Sequence, residues 1–337
     1  MARNYKAAFG VDVGGTKVAV GLVDLTGRIL VEAEEPTDQS EPDAPATQAV
    51  ALLQHVAERA GMEPHEVAGI GVGVPGMPDV GDGGVWAPNV RGWDRYPLRR
   101  RLTSRLQALS RPLSADARSV WVENDGRLAA LAEHWCGAGA GAGTVALLVV
   151  GTGIGGGVVI DGKLLRGTHG VAGYFGWFVF PGLAGTRPDL GDFESVAAGT
   201  ALGERGREAA RADPSSLMHA LAQSLDQVTG RTVFSAAGAG DAAARQVVGQ
   251  WTQLLAAGIS NLVVAIDPEV IIVGGGLSTS FPQYEGELRQ ALSRLAHPFA
   301  RDDVKVVPAR LGPRAGLIGA AKLAFNSANE RETDHER

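Results

Sequence analysis

The sequence predicts an α/β protein of two related halves, and three observations carry that prediction. Short apolar runs ending in glycine turns alternate with stretches of helical periodicity along the chain. The length, 337 residues, is enough for two domains and a sizeable core. A strand–glycine turn–strand hairpin near the N-terminus, opening at Gly14, recurs mid-chain at Gly151.

Residues Ala7 to Val13 read as a buried strand that runs into Asp12-Val13-Gly14-Gly15-Thr16-Lys17. Strands Val18 to Asp24 and Arg28 to Glu34 follow, so the glycine turn joins two strands, whereas a Walker loop leads into a helix. The glycines let backbone N–H groups point at an anion with no Cβ in the way. Thr16 adds a hydroxyl donor, Lys17 a charge, and Asp12 could hold a metal ion directly or through water. A Gly-Gly pair also makes plain tight hairpins, so the turn by itself leaves both readings open.

A loop from Pro36 to Pro45 leads to an amphipathic helix, Ala46 to Ala60, stopped by Gly61. The strand Val67 to Val74 opens into Pro75-Gly76-Met77-Pro78-Asp79. In the next stretch Asn89 can both donate to and accept from a polyol. Trp86 and Trp93 either stack on a sugar face or pack. The helix Pro97 to Ser110 carries a solvated arginine face, and the strand Ser119 to Glu123 ends in Asn124-Asp125. A helix spans Gly126 to Trp135, so Asn124-Asp125 is either chemistry or an ordinary N-cap.

The strands Thr144 to Gly151 and Gly155 to Ile160 frame Gly151-Thr152-Gly153, and Gly170-Val-Ala-Gly-Tyr174-Phe-Gly-Trp177 forms a second glycine-framed loop. An acid at a strand end, a phosphate turn and this loop, all within 122–178, are the equipment of a phosphoryl-transfer site. Beyond a loop at 181–191, helices are expected at 193–211, with Glu194 in the first turn, and at 215–226 and 240–265. The strand Val270 to Val273 ends in Gly274-Gly275-Gly276, which could receive a flat adenine ring or open a helix. The last strand is Val304 to Val307 and the last helix Gly316 to Asn326.

The composition narrows the classes. A net charge of −6 gives no support to a nucleic-acid or anionic-membrane partner. The single cysteine, Cys136, excludes an internal disulfide and a cysteine-rich zinc site. No run of about 18 apolar residues predicts a membrane span. No signal-peptide pattern opens the chain, and a cytoplasmic protein is expected.

In motif content and order the chain resembles the ROK group (repressors, open reading frames, kinases), bacterial sugar kinases of the actin-like ATPase fold. Asp12-Val-Gly-Gly-Thr-Lys17 matches its first phosphate motif, and Gly71-Val-Gly-Val-Pro-Gly76 with Asn89…Gly92-Trp93 its sugar-side elements. Glu123-Asn-Asp125 matches the catalytic motif, Gly151-Thr-Gly-Ile-Gly-Gly157 the second phosphate motif, and Asp267-Pro-Glu-Val270…Gly274-Gly-Gly276 the adenosine motif. The resemblance implies a two-domain actin-like ATPase (ribonuclease H-like) fold with ATP in an interdomain cleft. It implies a small α/β domain over 1–118, against which a helix at 314–328 packs back, and a larger α/β domain over 119–313. Gly14, Gly15, Thr16, Lys17, Gly151, Thr152 and Gly153 would hold the phosphates, with Mg2+ at Asp12 and Gly274 and Gly275 beside the adenosine. Gly76, Asn89, Asn124 and Asp125 would face the acceptor, and Asp125 would take the proton of the attacking hydroxyl. A homodimer follows by analogy. Repressor members carry a helix-turn-helix ahead of the first motif; here that motif begins near residue 9, so no DNA partner is expected.

The chain departs from the family pattern at Gly170 to Trp177, where kinases usually show Gly-x-x-Gly-Glu-x-Gly-His. Tyr174 stands for the sugar-binding glutamate and Trp177 for the zinc-ligating histidine, and the usual cysteine-rich segment, around 182–194, has no cysteine. No structural zinc is expected. Glu194 matches the family's last sugar-side glutamate. A tyrosine offers one hydroxyl and an apolar face where a carboxylate would accept two hydrogen bonds. Buried sugar hydroxyls left unpaired cost about 1–3 kcal/mol each. The expected acceptor is therefore a hexose-like polyol with an altered hydroxyl pattern: an amino sugar, a deoxysugar or a carbocyclic C7 cyclitol of the kind used in antibiotic pathways. Two alternatives stand beside it: a plain glucokinase in which Tyr174 and Trp177 repack the site left by zinc, and a catalytically silent sugar-sensing protein.

Overall fold

The computed structural model describes residues 5–79, 84–114, 119–180 and 190–335. In chain order its elements are β1 (Ala7–Val13), β2 (Lys17–Asp24), β3 (Ile29–Pro36), α1 (Ala44–Ala60), β4 (Val67–Val74), β5 (Met77–Pro78), β6 (Val85–Trp86), α2 (Leu98–Gln107), β7 (Val120–Asn124) and α3 (Asp125–Cys136). Then come β8 (Thr144–Val150), β9 (Ile154–Ile160), β10 (Lys163–Leu164), α4 (Asp192–Ala197), α5 (Gly199–Ala212), α6 (Met218–Leu221), α7 (Gly230–Gly238) and α8 (Ala242–Ile266). The chain closes with β11 (Val270–Gly274), α9 (Phe281–Leu295), β12 (Lys305–Pro308) and α10 (Ala315–His335). These form two units: Met1–Gly141, Gly162–Ala172 and Pro313–Arg337 in one, Ala142–Asp161 and Gly173–Gly312 in the other.

The sheet of the first unit has the order β3-β2-β1-β4-β7. β1/β2 and β2/β3 are antiparallel, β1/β4 and β4/β7 parallel. Period-two alternation sends Phe9 and Val11 into one core with Val50 and Leu53 of α1 and Leu98 and Leu102 of α2. Ala8 turns the other way, into a core with Leu317, Ala321 and Phe325 of α10. Gly10 and Gly71 are partners in the β1/β4 register. A Cβ on Gly10 would lie 2.0 Å from the Leu317 carbonyl oxygen, and one on Gly71 1.8 Å from that of Ala320. Only bare backbone lets α10 lie this close, and the contact carries Gly316, in the first turn of α10, to the carboxylate of Asp12.

The division differs from a boundary at residue 118. β7 and α3 belong to the first unit, because β7 is the parallel neighbour of β4, with Asn124 opposite Val74.

Within the second unit the sheet order is β9-β8-β11-β12. β8/β9 is antiparallel and β8/β11 and β11/β12 are parallel, repeating the pattern of β2-β1-β4-β7. α8 is the spine of the core. Trp251, Leu255, Ile259 and Leu262 are buried along it, and Trp251 Nε1 donates to the Ala197 carbonyl at 2.7 Å. By length and composition α8 could cross a membrane, but most of its apolar stretch is buried inside this core.

Two helical expectations change. The helix read over 193–211 breaks at Ala198, whose backbone is extended (φ −64°, ψ 161°), into α4 and α5. The helix read over 215–226 shrinks to the four residues of α6 and a 3-10 turn, since Ala222 and Ser224 are extended. α7 and α9 go unread in the sequence, although Phe281, Tyr284, Leu288, Ala291 and Leu292 line one face of α9 at helical spacing.

Candidate active site

In the first unit the parallel strands β1, β4 and β7 end at one edge of the sheet, and each delivers a residue of interest there. β1 brings Asp12 and the turn Gly14-Gly15-Thr16, which Gly14 N closes by donating to Lys17 O (2.8 Å). The carbonyls of this turn are all held from one side. Gly14 O accepts from Thr37 Oγ1 (2.6 Å), Gly15 O from Gln39 Nε2 (2.6 Å) and Thr16 O from Thr37 N (3.0 Å). In a planar trans peptide the N–H points opposite to the C=O. The amides of Gly15 and Thr16 therefore point away from residues 37–39, in the manner of an anion nest. On the remaining side a Cβ at Gly15 would stand 3.0 Å from the Asn89 carbonyl oxygen, so this position and Asn89 touch through backbone. Asn89 itself is exposed. Lys17 donates to Glu34 Oε2 at 2.6 Å, an ion pair open to solvent.

Asp12 is partly buried, and burial, helped by the negative charge of Asp125 and opposed by Lys17, pushes its carboxyl up to about 6. Asp125 sits in the first turn of α3. Burial raises its pKa as well, against hydrogen bonds from Gly126 N and Asn124 Nδ2. Both of those bonds fall on Oδ1, at 2.7 and 3.1 Å, and the N–H of Asp125 itself adds a third to the carboxylate.

Asn124 is the N-cap of α3. Its Oδ1 accepts from Arg127 N (3.1 Å), and its Nδ2 donates to Gly76 O (2.9 Å) as well as to Asp125. The cap reading of Asn124-Asp125 thus describes Asn124, whose two amide hydrogens are engaged within the protein. Gly76, at φ +145°, has no room for a Cβ, which would lie 2.2 Å from Trp86 O. Trp93 packs: it is buried, stacks on Tyr96 at 4.9 Å and donates to Pro42 O. Trp86 is 53% exposed.

Beneath Asp125 lies a charged cluster that the motifs did not reveal. Arg127 and Glu123, both buried, pair at 2.9 Å. Glu123 Oε1 also accepts from Asn124 N, and its Oε2 from Arg166 Nε. Arg127 further donates to the carbonyls of Gly170 and Ala172, so α3 and the 166–172 segment are tied together.

In the second unit the turn between β8 and β9 is held by the same logic. Gly151 O accepts from Gly199 N (2.7 Å) and Thr152 O from Thr200 Oγ1 (2.8 Å), so the amides of Thr152 and Gly153 point away from α5. The break at Ala198 is what presents the start of α5 to this turn. Glu194 accepts from Ile154 N at 2.6 Å and crowds Gly153, where a Cβ would meet its Oε2 at 2.5 Å. Gly274 pairs with Val149, which sets the Gly274–Gly276 turn beside the end of β8. Gly275, at φ +83°, lies against Val150, whose carbonyl oxygen would be 2.3 Å from a Cβ.

Tyr174 precedes and Trp177 ends a single 3-10 turn, Phe175–Trp177, and Trp177 N donates to Tyr174 O. Tyr174 is half-buried and Trp177 is 60% exposed. The packing behind them is done by phenylalanines: Phe180 stacks on Phe193 at 5.4 Å, Phe178 on Phe193 at 6.3 Å, and Phe175 meets Phe178 at 5.7 Å. The stretch 181–189, which holds most of the segment where zinc ligands would fall, lies outside the described residues.

The sequence profile described as the ROK family matches residues 8–327. A glucokinase of Streptomyces coelicolor is 34% identical over 323 residues, 94% of this chain and 96% of that one. An N-acetyl-D-glucosamine kinase of Escherichia coli is 32% identical over 319 residues, 94% and 98% of the two chains. Among solved structures, a ROK family glucokinase from Streptomyces griseus in complex with glucose and AMPPNP is 34% identical, with 95% of this chain and 99% of that chain covered and a TM-score of 0.76. The ROK hexokinase of Thermus thermophilus gives a TM-score of 0.77 at 33% identity, with 96% and 99% covered. The fold is thus the α/β actin-like ATPase fold.

Proposed function

The chain belongs to the ROK family, and from that premise we propose that it is an ATP-dependent sugar kinase that phosphorylates the primary hydroxyl of a hexose-like acceptor. The observation that carries the reading is Asp125: a carboxylate made more basic by burial, fixed through Oδ1, at the end of a strand and close enough to Asp12 of the first glycine turn to raise its pKa. Such a group suits the removal of a hydroxyl proton as the phosphorus–oxygen bond forms. The remaining acceleration in phosphoryl transfer comes from positioning and charge neutralisation. The amides of Gly15 and Thr16, with Lys17, would hold phosphate oxygens; those of Thr152 and Gly153 offer donors of the same kind. Asn89 would hydrogen-bond the acceptor.

Asp12 fits the needs of Mg2+, which binds through one or two carboxylates and otherwise keeps water and phosphate oxygens. It is the carboxylate at the turn, and a bound cation would offset the burial and the charge of Asp125 that hold its pKa up. Among the described residues no set of three His, Cys, Asp or Glu side chains forms a denser metal site. When bound, Mg2+ supplies neutralisation of phosphate charge.

For the acceptor, the exposed ring of Trp177 supports a role in recognition rather than repacking, since Phe175, Phe178, Phe180 and Phe193 fill the interior. This favours an amino sugar, a deoxysugar or a C7 cyclitol. The relatives that are glucokinases favour plain glucose as the second reading. The test is ADP release with Mg-ATP against glucose, mannose, N-acetylated and amino hexoses and C7 cyclitols. Turnover concentrated on an amino sugar or cyclitol supports the first reading, and turnover concentrated on glucose the second. Silence across the panel with ATP still bound removes the kinase assignment in favour of a sensing protein.

A further inference from the structure

We propose that Thr37 and Gln39 are positioning residues for the nucleotide phosphates: they aim the amides of Gly15 and Thr16 by holding the carbonyls behind them. The inference rests on the reading of the first glycine turn as a phosphate site. A three-residue turn with two glycines has wide conformational freedom and by itself does not fix where its N–H groups point. Here every carbonyl of the turn has a partner on residues 37–39, and two of the three bonds come from side chains, Thr37 Oγ1 and Gln39 Nε2, both at 2.6 Å. Rotating either glycine peptide to turn its N–H elsewhere would break one of these bonds. Neither Gly15 N nor Thr16 N donates to a partner among the described residues, so both donors remain for a ligand.

The strap that bears Thr37 and Gln39 is itself anchored. Gln48 of α1 accepts from Asp38 N (3.1 Å) and donates to Pro36 O (2.8 Å), and Ser40 N closes on Asp38 Oδ1 (2.9 Å). The Gln39 amide is oriented at its other end by Arg91 N, which donates to Oε1. α1, the strap and the turn thus form one hydrogen-bonded chain with the ligand-facing amides at its end.

The experiment compares the affinity of the full-length protein for ATP with that for adenosine, which lacks phosphates, by calorimetric titration. The variants are Thr37→Val, Gln39→Leu and Thr37→Ser. Thr37→Val and Gln39→Leu should each raise the Kd for ATP about tenfold, the loss of one hydrogen bond to an oriented group, while the Kd for adenosine stays put. Thr37→Ser keeps the hydroxyl and should restore ATP binding. Unchanged ATP affinity in both variants, or equal loss of ATP and adenosine, would overturn the proposal, the second pattern marking a purely structural role. Wild-type protein that binds ATP no better than adenosine would overturn it together with the phosphate reading. Because the readout is affinity, a protein that binds ATP yet phosphorylates no sugar defeats the kinase assignment and leaves the ATP-to-adenosine ratio to decide this one.

Discussion

In the first glycine hairpin the carbonyls of Gly14 and Gly15 are held by side chains from a polar strap, Thr37 and Gln39; in the second those of Gly151 and Thr152 are held by the opening residues of a helix, Gly199 and Thr200. Both devices turn peptide N–H groups away from the residues that hold the carbonyls. They differ in charge. Asp12 precedes the first turn, Lys17 follows it, and Asp125 lies close enough to shift the titration of Asp12. The second turn, Gly151-Thr152-Gly153, carries no ionisable residue, and its nearest carboxylate, Glu194, is tied to Ile154 N. On the proposed reading the difference separates two jobs that one motif shape can hide: both turns would cradle phosphate, and only the first has carboxylates placed for proton and metal chemistry.

The largest effect should come from removing the chemistry while leaving the cradles. Asp125→Ala is expected to lower kcat by about 10²–10⁴-fold, the usual contribution of a general base, with the Kd for ATP within about twofold of wild type. Retained turnover would mean that the charged half is not where the proton goes.

Two glycines sharpen the comparison from the uncharged side. Gly275 has φ +83° and no room for a Cβ, so Gly275→Ala should cost about 2–4 kcal/mol of stability. Gly151 has open space where its Cβ would be, so Gly151→Ala should leave thermal stability within about 0.5 kcal/mol. If that space belongs to a phosphate, the same change should still raise the KM for ATP, by roughly tenfold. Wild-type ATP kinetics in Gly151→Ala would remove Gly151 from the ligand site.

The acidic pair also predicts a stability signature. The pKa of Asp12 is raised on folding from 3.8 to about 6, so its ionised form opposes folding. In that interval the folded state binds more protons, and stability falls as pH rises from about 4 to about 6, then stays at the lower level. In the metal-free protein Asp12→Asn should therefore stabilise at pH 7.5, by up to about 3 kcal/mol, and have little effect at pH 4. Thermal melts at the two pH values check this. A pH-independent effect would show that Asp12 ionises in the folded protein as it does in the unfolded chain.

How much of this was legible in the sequence follows from how local each cause is. Both hairpins could be read because a strand and its glycine turn are contiguous, and Asp12 and Asp125 because each ends a strand. The hold on the turns could not. Thr37 and Gln39 sit in a polar loop whose composition marks only a loop, and the link from Thr200 to Thr152 spans 48 residues. The break at Ala198 left no trace because alanine favours helix, and it is the Gly199–Gly151 contact that sets the start of α5. Gly10 and Gly71 could be seen as glycines in strands, but the helix they admit comes from the far end of the chain. The phenylalanine cluster shows why the sequence could not place Trp177: an aromatic run offers several candidates for one interior, and periodicity does not choose among them.

The smallest expected effect tests whether the charge of the first hairpin is available at rest. Lys17 is paired with Glu34, and both side chains are substantially exposed, at 44% and 63%. A pair of this kind is worth about 0–1 kcal/mol and is screened by salt. Glu34→Gln frees Lys17 for a phosphate and should lower the KM for ATP by no more than about fivefold at low ionic strength. Near 1 M salt, where the Debye length is about 3 Å, the difference should vanish. An increase in KM at low salt would mean that Glu34 orients Lys17 toward the nucleotide instead of competing for it, and the first hairpin would then depend on β3 for its charge as it depends on residues 37–39 for its shape.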